Sequence, residues 1–418
     1  MRLNKALEYI HKSLRFVKTH FVKTKGAWYK KNEKTSVRAT PQLIIHLGDG
    51  KCGSTAIQGS LFDARKILSA NKIIYYPPNR TGHFSYITFF DGKTRGDNDK
   101  ALAMARNNFS ELTELVKSDP PDFILFSSES FFSIPPDRLL ELLAPLCSGE
   151  VKVHIIAYIR CPAEQYLSQV QQIIKASHRI IEPKEYFRDI TINLVRWLEY
   201  PQTASMTVKQ FRKEKLIGGS VVLDFEDVLK KITCREITLP DVVSNASLSA
   251  EQIIVLQRYR QNFFAADDGF FQPGSNQLIH FFESINLVDG LVKTKPRLAP
   301  WLPLQITSRH ANVIKKIQER FPSTNFQLDC CIHGDADGVS FPPVDGDVSR
   351  IFFEVDWKVV AALEFSIPEF ASRVDGNWYK DAIIRLRDIE ISEKGLDLYR
   401  EFLTQKGYKK LCLHEQYL

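Results

Sequence analysis

The chain predicts an α/β fold: a parallel β-sheet flanked by helices on both faces, with a mainly helical C-terminal extension. Three observations carry this. Strand-like and helix-like segments alternate from about Pro41 to Lys230, the pattern of a sheet covered by its own crossover helices. The strand-like segments are short, near-continuous apolar runs, as expected of strands buried on both faces. Chemically loaded residues follow three of those runs: a glycine loop with Lys51, then Ser127-Ser128-Glu129, then Arg160. Ligands of parallel α/β sheets bind beyond the carboxyl ends of the strands.

In chain order, the strand candidates are 42–47, 73–76, 123–127, 153–159 and 220–225. The helix candidates are 54–70, 100–117, 137–147, 163–177 and 184–198. The first strand is the apolar run around Leu43, Ile44 and Ile45; Gly48, Gly50 and Gly53 end it, and Ser54-Thr55 open a helix. The run 153–159 stops at Arg160, and Pro162 stands where a first-turn proline is tolerated. Tyr166, Val170, Ile173 and Ile174 then recur at helical spacing. Val221-Val222-Leu223 reads as the strand that closes the sheet. Ser249 with Gln252 forms a capping box, which sets a helix start near 249. Three regions result: a basic amphipathic segment over 1–38, the α/β domain over 39–270, and an extension or cap over 271–418, where 375–418 reads as helical and charged.

With 418 residues and 44% hydrophobic composition, the chain can bury a large core and has length for two or three domains. No run reaches the ~18 apolar residues that span a bilayer, and no signal-peptide pattern opens the chain. The seven cysteines are odd in number and lack a Cys-x-x-Cys pair, which argues against a disulfide scaffold or a zinc site; no metal is expected. A cytoplasmic setting follows. The net charge of +7 is concentrated at the start: eleven Lys or Arg among the first 38 residues face only Glu8 and Glu33. Leu3, Leu7, Ile10, Leu14, Val17 and Phe21 give that segment an apolar face. Two readings stay open for it: packing on its own domain, or peripheral contact with a protein or with the inner membrane surface. No nucleic-acid module accompanies the charge, so no nucleic-acid partner is expected. Asp335-Ala-Asp-Gly lacks the remaining ligands of a calcium loop and reads as a turn.

A strand, a glycine loop and a helix N-terminus form an anion site: backbone N–H groups approach the ligand, the helix end carries positive partial charge, and Lys51 adds a full one. A Walker A loop needs Gly-x-x-x-x-Gly-Lys-[Ser/Thr]. From Gly48 the second glycine falls correctly at Gly53, but Ser54 occupies the lysine position and the lysine comes two residues before the glycine instead. The order Lys51-Cys52-Gly53-Ser54-Thr55 resembles the 5′-phosphosulfate loop of PAPS-dependent sulfotransferases (PAPS, 3′-phosphoadenosine 5′-phosphosulfate). The wider string from His46 to Gln58 looks like the bacterial carbohydrate-sulfotransferase version, apart from Cys52, where that family more often has Thr or Gly.

The resemblance implies a P-loop-like three-layer sandwich and a nucleotide site built from Gly50, Lys51, Cys52, Gly53, Ser54 and Thr55, with Cys52 serving through its N–H. It also implies a 3′-phosphate clamp made by an Arg at a strand end and a Ser eight residues on, here Arg160 and Ser168; a guanidinium fork suits phosphate. An Asn-x-Ser-x-Ser phrase like that at 245–249 recurs near the end of related bacterial domains. The implied reaction moves a sulfuryl group from PAPS to a hydroxyl or amine of a carbohydrate or glycolipid acceptor, with Lys51 stabilising the leaving oxygen. Two residues compete as the base: His83, in the loop after the second strand, and then Glu129, at the end of the third. His46, close behind the loop, is expected to be structural or to support the site from behind. Tyr75, Tyr76, Phe131 and Phe132 are candidates for stacking on sugar, or else core.

Two other classes stay in view. A P-loop kinase or ATPase with a variant loop needs a Walker B-like acid, for which Asp224 is the candidate, and leaves Arg160 and Ser168 unexplained. The other is a non-catalytic nucleotide- or glycan-binding protein attached to an envelope assembly machine through its basic N-terminal segment.

Overall fold

The computed structural model of the protein describes residues 40–90, 96–147, 149–240, 248–285, 295–327 and 341–367. The expectations for 1–38, Asp335–Gly338 and 375–418 lie outside the described residues. Two compact units emerge: one falls within Met1–Arg160, Asp189–Ser244 and Val313–Phe326, the other within Cys161–Arg188, Asn245–Asn312 and Gln327–Leu418. The expected cut at residue 270 does not coincide with this division, because the segments 161–188 and 245–270 fold with later residues.

The first unit holds a five-stranded, all-parallel sheet in the order β2-β3-β1-β4-β5. The strands are β1 (Gln42–Gly48), β2 (Ile73–Ile74), β3 (Phe123–Ser128), β4 (Val153–Ile159) and β5 (Thr203–Gln210). Strand β1 is central and apolar on both sides: Leu43, Ile45 and Leu47 point to one face, Ile44 and His46 to the other, and all are buried. On the His46 face, Ile44, Leu125, Ile156 and Tyr158 pack with Ile57 and Leu61 of helix α1 (Ser54–Asp63). Helix α2 (Arg65–Ala70) follows α1 after a break at Ala64, so the expected helix 54–70 is two. On the opposite face, Phe126 meets Tyr86 of the 3-10 turn Phe84–Phe89, and Tyr86 meets Phe109 of α3 (Gly96–Ser118) at 6.1 Å. Helices therefore cover both faces, as the alternating pattern predicts; burying each such side chain is worth about 1.5–3 kcal/mol.

The last strand departs from expectation. Residues 221–225 are not a strand but the first turns of a helix whose buried positions, Val221, Val222, Phe225, Val228 and Leu229, fall at helical spacing. Ser220 starts it, its hydroxyl accepting from the N–H groups of Val222 and Leu223 at 3.2 and 3.4 Å. The closing strand is β5, whose sequence Thr-Ala-Ser-Met-Thr-Val-Lys-Gln has no apolar run because it is an edge, with only Val208 and Gln210 buried. Helices α4 (Pro136–Leu143), α5 (Pro162–Ile174), α6 (Thr191–Leu198) and α7 (Val221–Thr233) complete this stretch of chain. Of these, α6 is shorter than the predicted 184–198 because residues 183–185 form a turn.

The second unit is built around α8 (Ala250–Phe263), which is buried on nearly every side. It is followed by α9 (Pro273–Ile285), α10 (Trp301–Arg309), α11 (Ala311–Arg320, most of it in the first unit) and α12 (Trp357–Ser366). A helix surrounded by protein must satisfy its polar side chains internally. Gln257 bonds the carbonyls of His178 and Gly346 and the N–H of Val348, and Arg260 donates to Ala176 O, Phe270 O and Ser275 Oγ. The capping box is present: Ser249 Oγ accepts from Gln252 N–H (3.2 Å) and Gln252 Oε1 from Ser249 N–H (2.9 Å). Ser249→Ala is expected to cost about 1 kcal/mol, seen as a lower urea midpoint at unchanged slope; an unmoved midpoint would refute the contribution of the cap.

Candidate functional site

The strand order fixes where a ligand can sit. Connections leave β1 toward β2 on one side, and from β3 over to β4 on the other, so the crevice opens beyond the carboxyl end of β1. Register places Leu47 opposite Ser128 and Gly48 opposite Tyr158. Glu129 and Arg160 therefore follow the neighbouring strand ends on either side of the glycine loop.

The loop folds tightly. Cys52 N–H donates to Asp49 O at 3.1 Å. Lys51 (φ 66°) and Gly53 (φ 81°) both have left-handed backbones, a conformation unfavourable for a lysine and typical of strained functional loops. At Gly53 a Cβ would lie 2.6 Å from the Phe211 ring and 2.8 Å from Val221, so glycine is obligatory. At Gly48 a Cβ would lie 2.8 Å from Ser54 Oγ and 3.0 Å from Glu129 Cα. Gly50 has open space around it, and sterics do not require glycine there.

Helix α1 begins at Gly53 with no side-chain cap and no acid in its first turn. Among the described residues, the N–H groups of Gly53, Ser54 and Thr55 meet no acceptor. Orphan donors at a positive helix end, beside Lys51, attract an anion. The expected part for Cys52 needs correcting: its N–H is engaged by Asp49 and its side chain is buried beneath the loop. Ser54 Oγ is buried without a hydrogen-bond partner of good geometry.

Arg160 supplies a second cation. Its guanidinium carbon lies 4.5 Å from the centroid of the Phe211 ring, and its buried Nε has no hydrogen-bond partner among the described residues. Ser168 lies on α5, 8% exposed, in the second unit.

The two candidate bases have unlike surroundings. The Glu129 side chain is solvent-exposed, yet desolvation by surrounding protein raises its pKa, with Asp49 adding to the rise. The Ser54 hydroxyl and the charge and N–H of Lys51 act against it. His83 is 0% exposed: its N–H donates to Ser127 O (2.9 Å) and its Nδ1 accepts from Ser127 N–H (3.2 Å). Burial pushes its pKa down to about 3, against the opposing hydrogen bonds of Ser127 and Tyr76. The structure thus gives His83 a structural place along the β3 edge, which counts against its being the base. His46 is structural as expected, its Nδ1 2.8 Å from Ser127 Oγ and its ring against Phe225; burial lowers its pKa to about 3.

Tyr75, Phe131 and Phe132 are buried core residues, and Tyr76 donates its hydroxyl to Glu111 at 2.8 Å, so these four are not an open sugar platform. Asp224, the acid needed by the kinase reading, sits in the first turn of α7 and not at a strand end. It is fully buried and held by Tyr158 OH (2.9 Å) and Lys209 Nζ (2.8 Å). Sequence reasoning missed Phe211 and Lys209 because both belong to the unrecognised edge strand or follow it directly.

Among the described residues, no group of three or more His, Cys, Asp or Glu could hold a metal ion, and no helix is long and apolar enough to cross a membrane. No family model and no curated protein matches the chain. Among solved structures, a chain of the PezAT chromosomal toxin-antitoxin system of Streptococcus pneumoniae is 16% identical, with 62% of this chain and 96% of that chain covered, at a TM-score of 0.26. A similarity that low bears on neither fold nor function.

The buried imidazoles generate a pH dependence. Their folded pKa values lie below that of a free histidine, so the unfolded chain takes up protons first; this stability is full above about pH 6.5 and is lost as pH falls toward 3. Glu129 and Glu364, both raised by burial, act in the opposite sense. In denaturation measured from pH 7 to 4, His46→Gln should flatten the acid-side loss by up to about 1.4 kcal/mol per pH unit; an unchanged slope would contradict the neutral buried state.

Proposed function

We propose that this protein is a PAPS-dependent sulfotransferase acting on a hydroxyl or amine of a carbohydrate or glycolipid acceptor. One observation carries the reading: on the central strand, Lys51 and three N–H donors without acceptors form an anion cradle, and Arg160, with its unpartnered Nε, offers a second cation at the next strand end. Two separate cationic sites suit a nucleotide phosphorylated at two places, and the lysine precedes Gly53 as in the family that the sequence resembles. The kinase or ATPase reading has lost its acid, since Asp224 is buried in a helix and paired with Lys209.

When bound, PAPS supplies an activated sulfuryl group whose leaving group is the 5′-phosphate of 3′-phosphoadenosine 5′-phosphate (PAP). Lys51 and the N–H groups of Gly53 to Thr55 neutralise the charge that develops on that phosphate. Glu129, beside Gly48 and Ser54, takes the proton of the acceptor hydroxyl as its oxygen bonds to sulfur and the bond from sulfur to the phosphate oxygen breaks. A carboxylate with a raised pKa is the better acceptor for that proton. Arg160 holds the 3′-phosphate. The same reading sets the reaction in the cytoplasm, where PAPS is made.

Thermal-shift measurements test the donor class: PAP should raise the melting temperature, whereas ATP with Mg²⁺ should not. Stabilisation by ATP with Mg²⁺ alone would sink the proposal in favour of a nucleotide triphosphatase or kinase. In a radiolabelled transfer assay from PAPS onto surface glycans, Lys51→Ala should abolish turnover. Glu129→Gln should lower kcat by about 10²-fold or more with little change in PAP affinity; full activity in that variant would exclude Glu129 as the base.

A further inference from the structure

One side chain touches both anion sites of the first unit, and the sequence does not flag it. Phe211 follows the end of β5, and its N–H donates to Ile159 O at 2.7 Å, which prolongs the ladder between β4 and β5 by one step. That bond fixes the Phe211 backbone beside Arg160. The half-buried ring reaches back to the loop, where its Cε2 stands 2.6 Å from the position a Cβ would take at Gly53. The same ring lies 4.5 Å from the Arg160 guanidinium carbon.

The chemistry of this contact differs from that of an ion pair. A carboxylate would hold Arg160 by consuming its N–H donors and cancelling its charge. An aromatic ring attracts the cation through its quadrupole and leaves those donors for a ligand. Arg160 Nε is buried and has no hydrogen-bond partner among the described residues. The guanidinium is therefore held in place without being neutralised, and the aromatic group holding it is also the wall against which the glycine loop rests.

We propose that Phe211 is a positioning and specificity residue that fixes the spacing between the Gly53 loop and Arg160, so that the site selects a nucleotide with phosphates at two separate ribose positions over one with a 5′-phosphate alone. This inference rests on the donor reading above. It assigns no contact between Phe211 and the nucleotide: the ring acts through Arg160, which it holds at a set distance from the loop that rests against it.

The test compares binding of PAP and 5′-AMP by calorimetry in the full chain. The unaltered protein should prefer PAP. Phe211→Leu, which keeps apolar bulk but removes the aromatic face, should reduce that preference about tenfold while 5′-AMP affinity stays within about twofold. Phe211→Tyr should restore it. In an Arg160→Ala background, Phe211→Leu should produce no further loss, because the arginine through which it acts is gone. Equal weakening of PAP and 5′-AMP in Phe211→Leu, or an undiminished preference for PAP, would overturn the role given to Phe211. If the unaltered protein binds both nucleotides equally, the donor reading itself fails. Melting temperatures check the fold of each variant, and Phe211→Met carries the same comparison if the leucine variant does not fold.

Discussion

Gly53 stands at φ 81° with the Phe211 ring and Val221 pressed against the space where a side chain would begin. That close approach ties three elements together: the loop after β1, the residue that follows β5, and the first turn of α7. Helix α1 can start only where this contact lets the chain turn, and no side chain caps its first N–H groups. A methyl group at 53 would push the helix start away from the sheet edge and take the donors with it. The rest of the first unit supplies rigidity to that point, chiefly by burying β1 between two layers of helices.

The electrostatics of the edge follow a division between groups that are neutralised and groups that are not. Lys209, partly exposed on the edge strand β5, pairs with the buried Asp224, which also accepts from Tyr158, so that both charges serve the structure. His46 and His83 are kept neutral by burial. Arg160 is different: it stacks on an aromatic ring with an unpartnered Nε.

Much of this was legible in the sequence, for identifiable reasons. Strands β1, β3 and β4 are buried on both faces, so their apolar runs are unambiguous, and the residues that follow them, Lys51, Glu129 and Arg160, could be placed at one edge. The edge strand was not legible, because one-sided burial left Thr203–Gln210 with mostly polar residues. Val221-Val222-Leu223 then took its place by apparent hydrophobicity, although the continuation through Phe225, Val228 and Leu229 has the helical period. That single exchange hid Phe211 and made Asp224 look like a strand-end acid. The division into units was illegible for another reason: α5 continues directly from the last residue of the site yet packs in the core of the second unit, and no composition shift marks the change.

The contrast between His83 and Glu129 shows how position can outweigh ordinary pKa. A free histidine titrates near neutrality and makes the more obvious base. In this fold β2 contributes only Ile73 and Ile74 to the sheet, which leaves the far half of the β3 edge without a partner strand. His83 fills that vacancy: its N–H and its Nδ1 satisfy the carbonyl and the N–H of Ser127, as a neighbouring strand would. Taking up a proton at Nδ1 would break that bond and bury a charge, so general-base chemistry at His83 would work against the sheet that positions the site. Glu129 has no such duty. It sits one residue past the same strand, beside Gly48 and Ser54, with a carboxyl whose proton affinity is raised by its surroundings and still reachable from solvent.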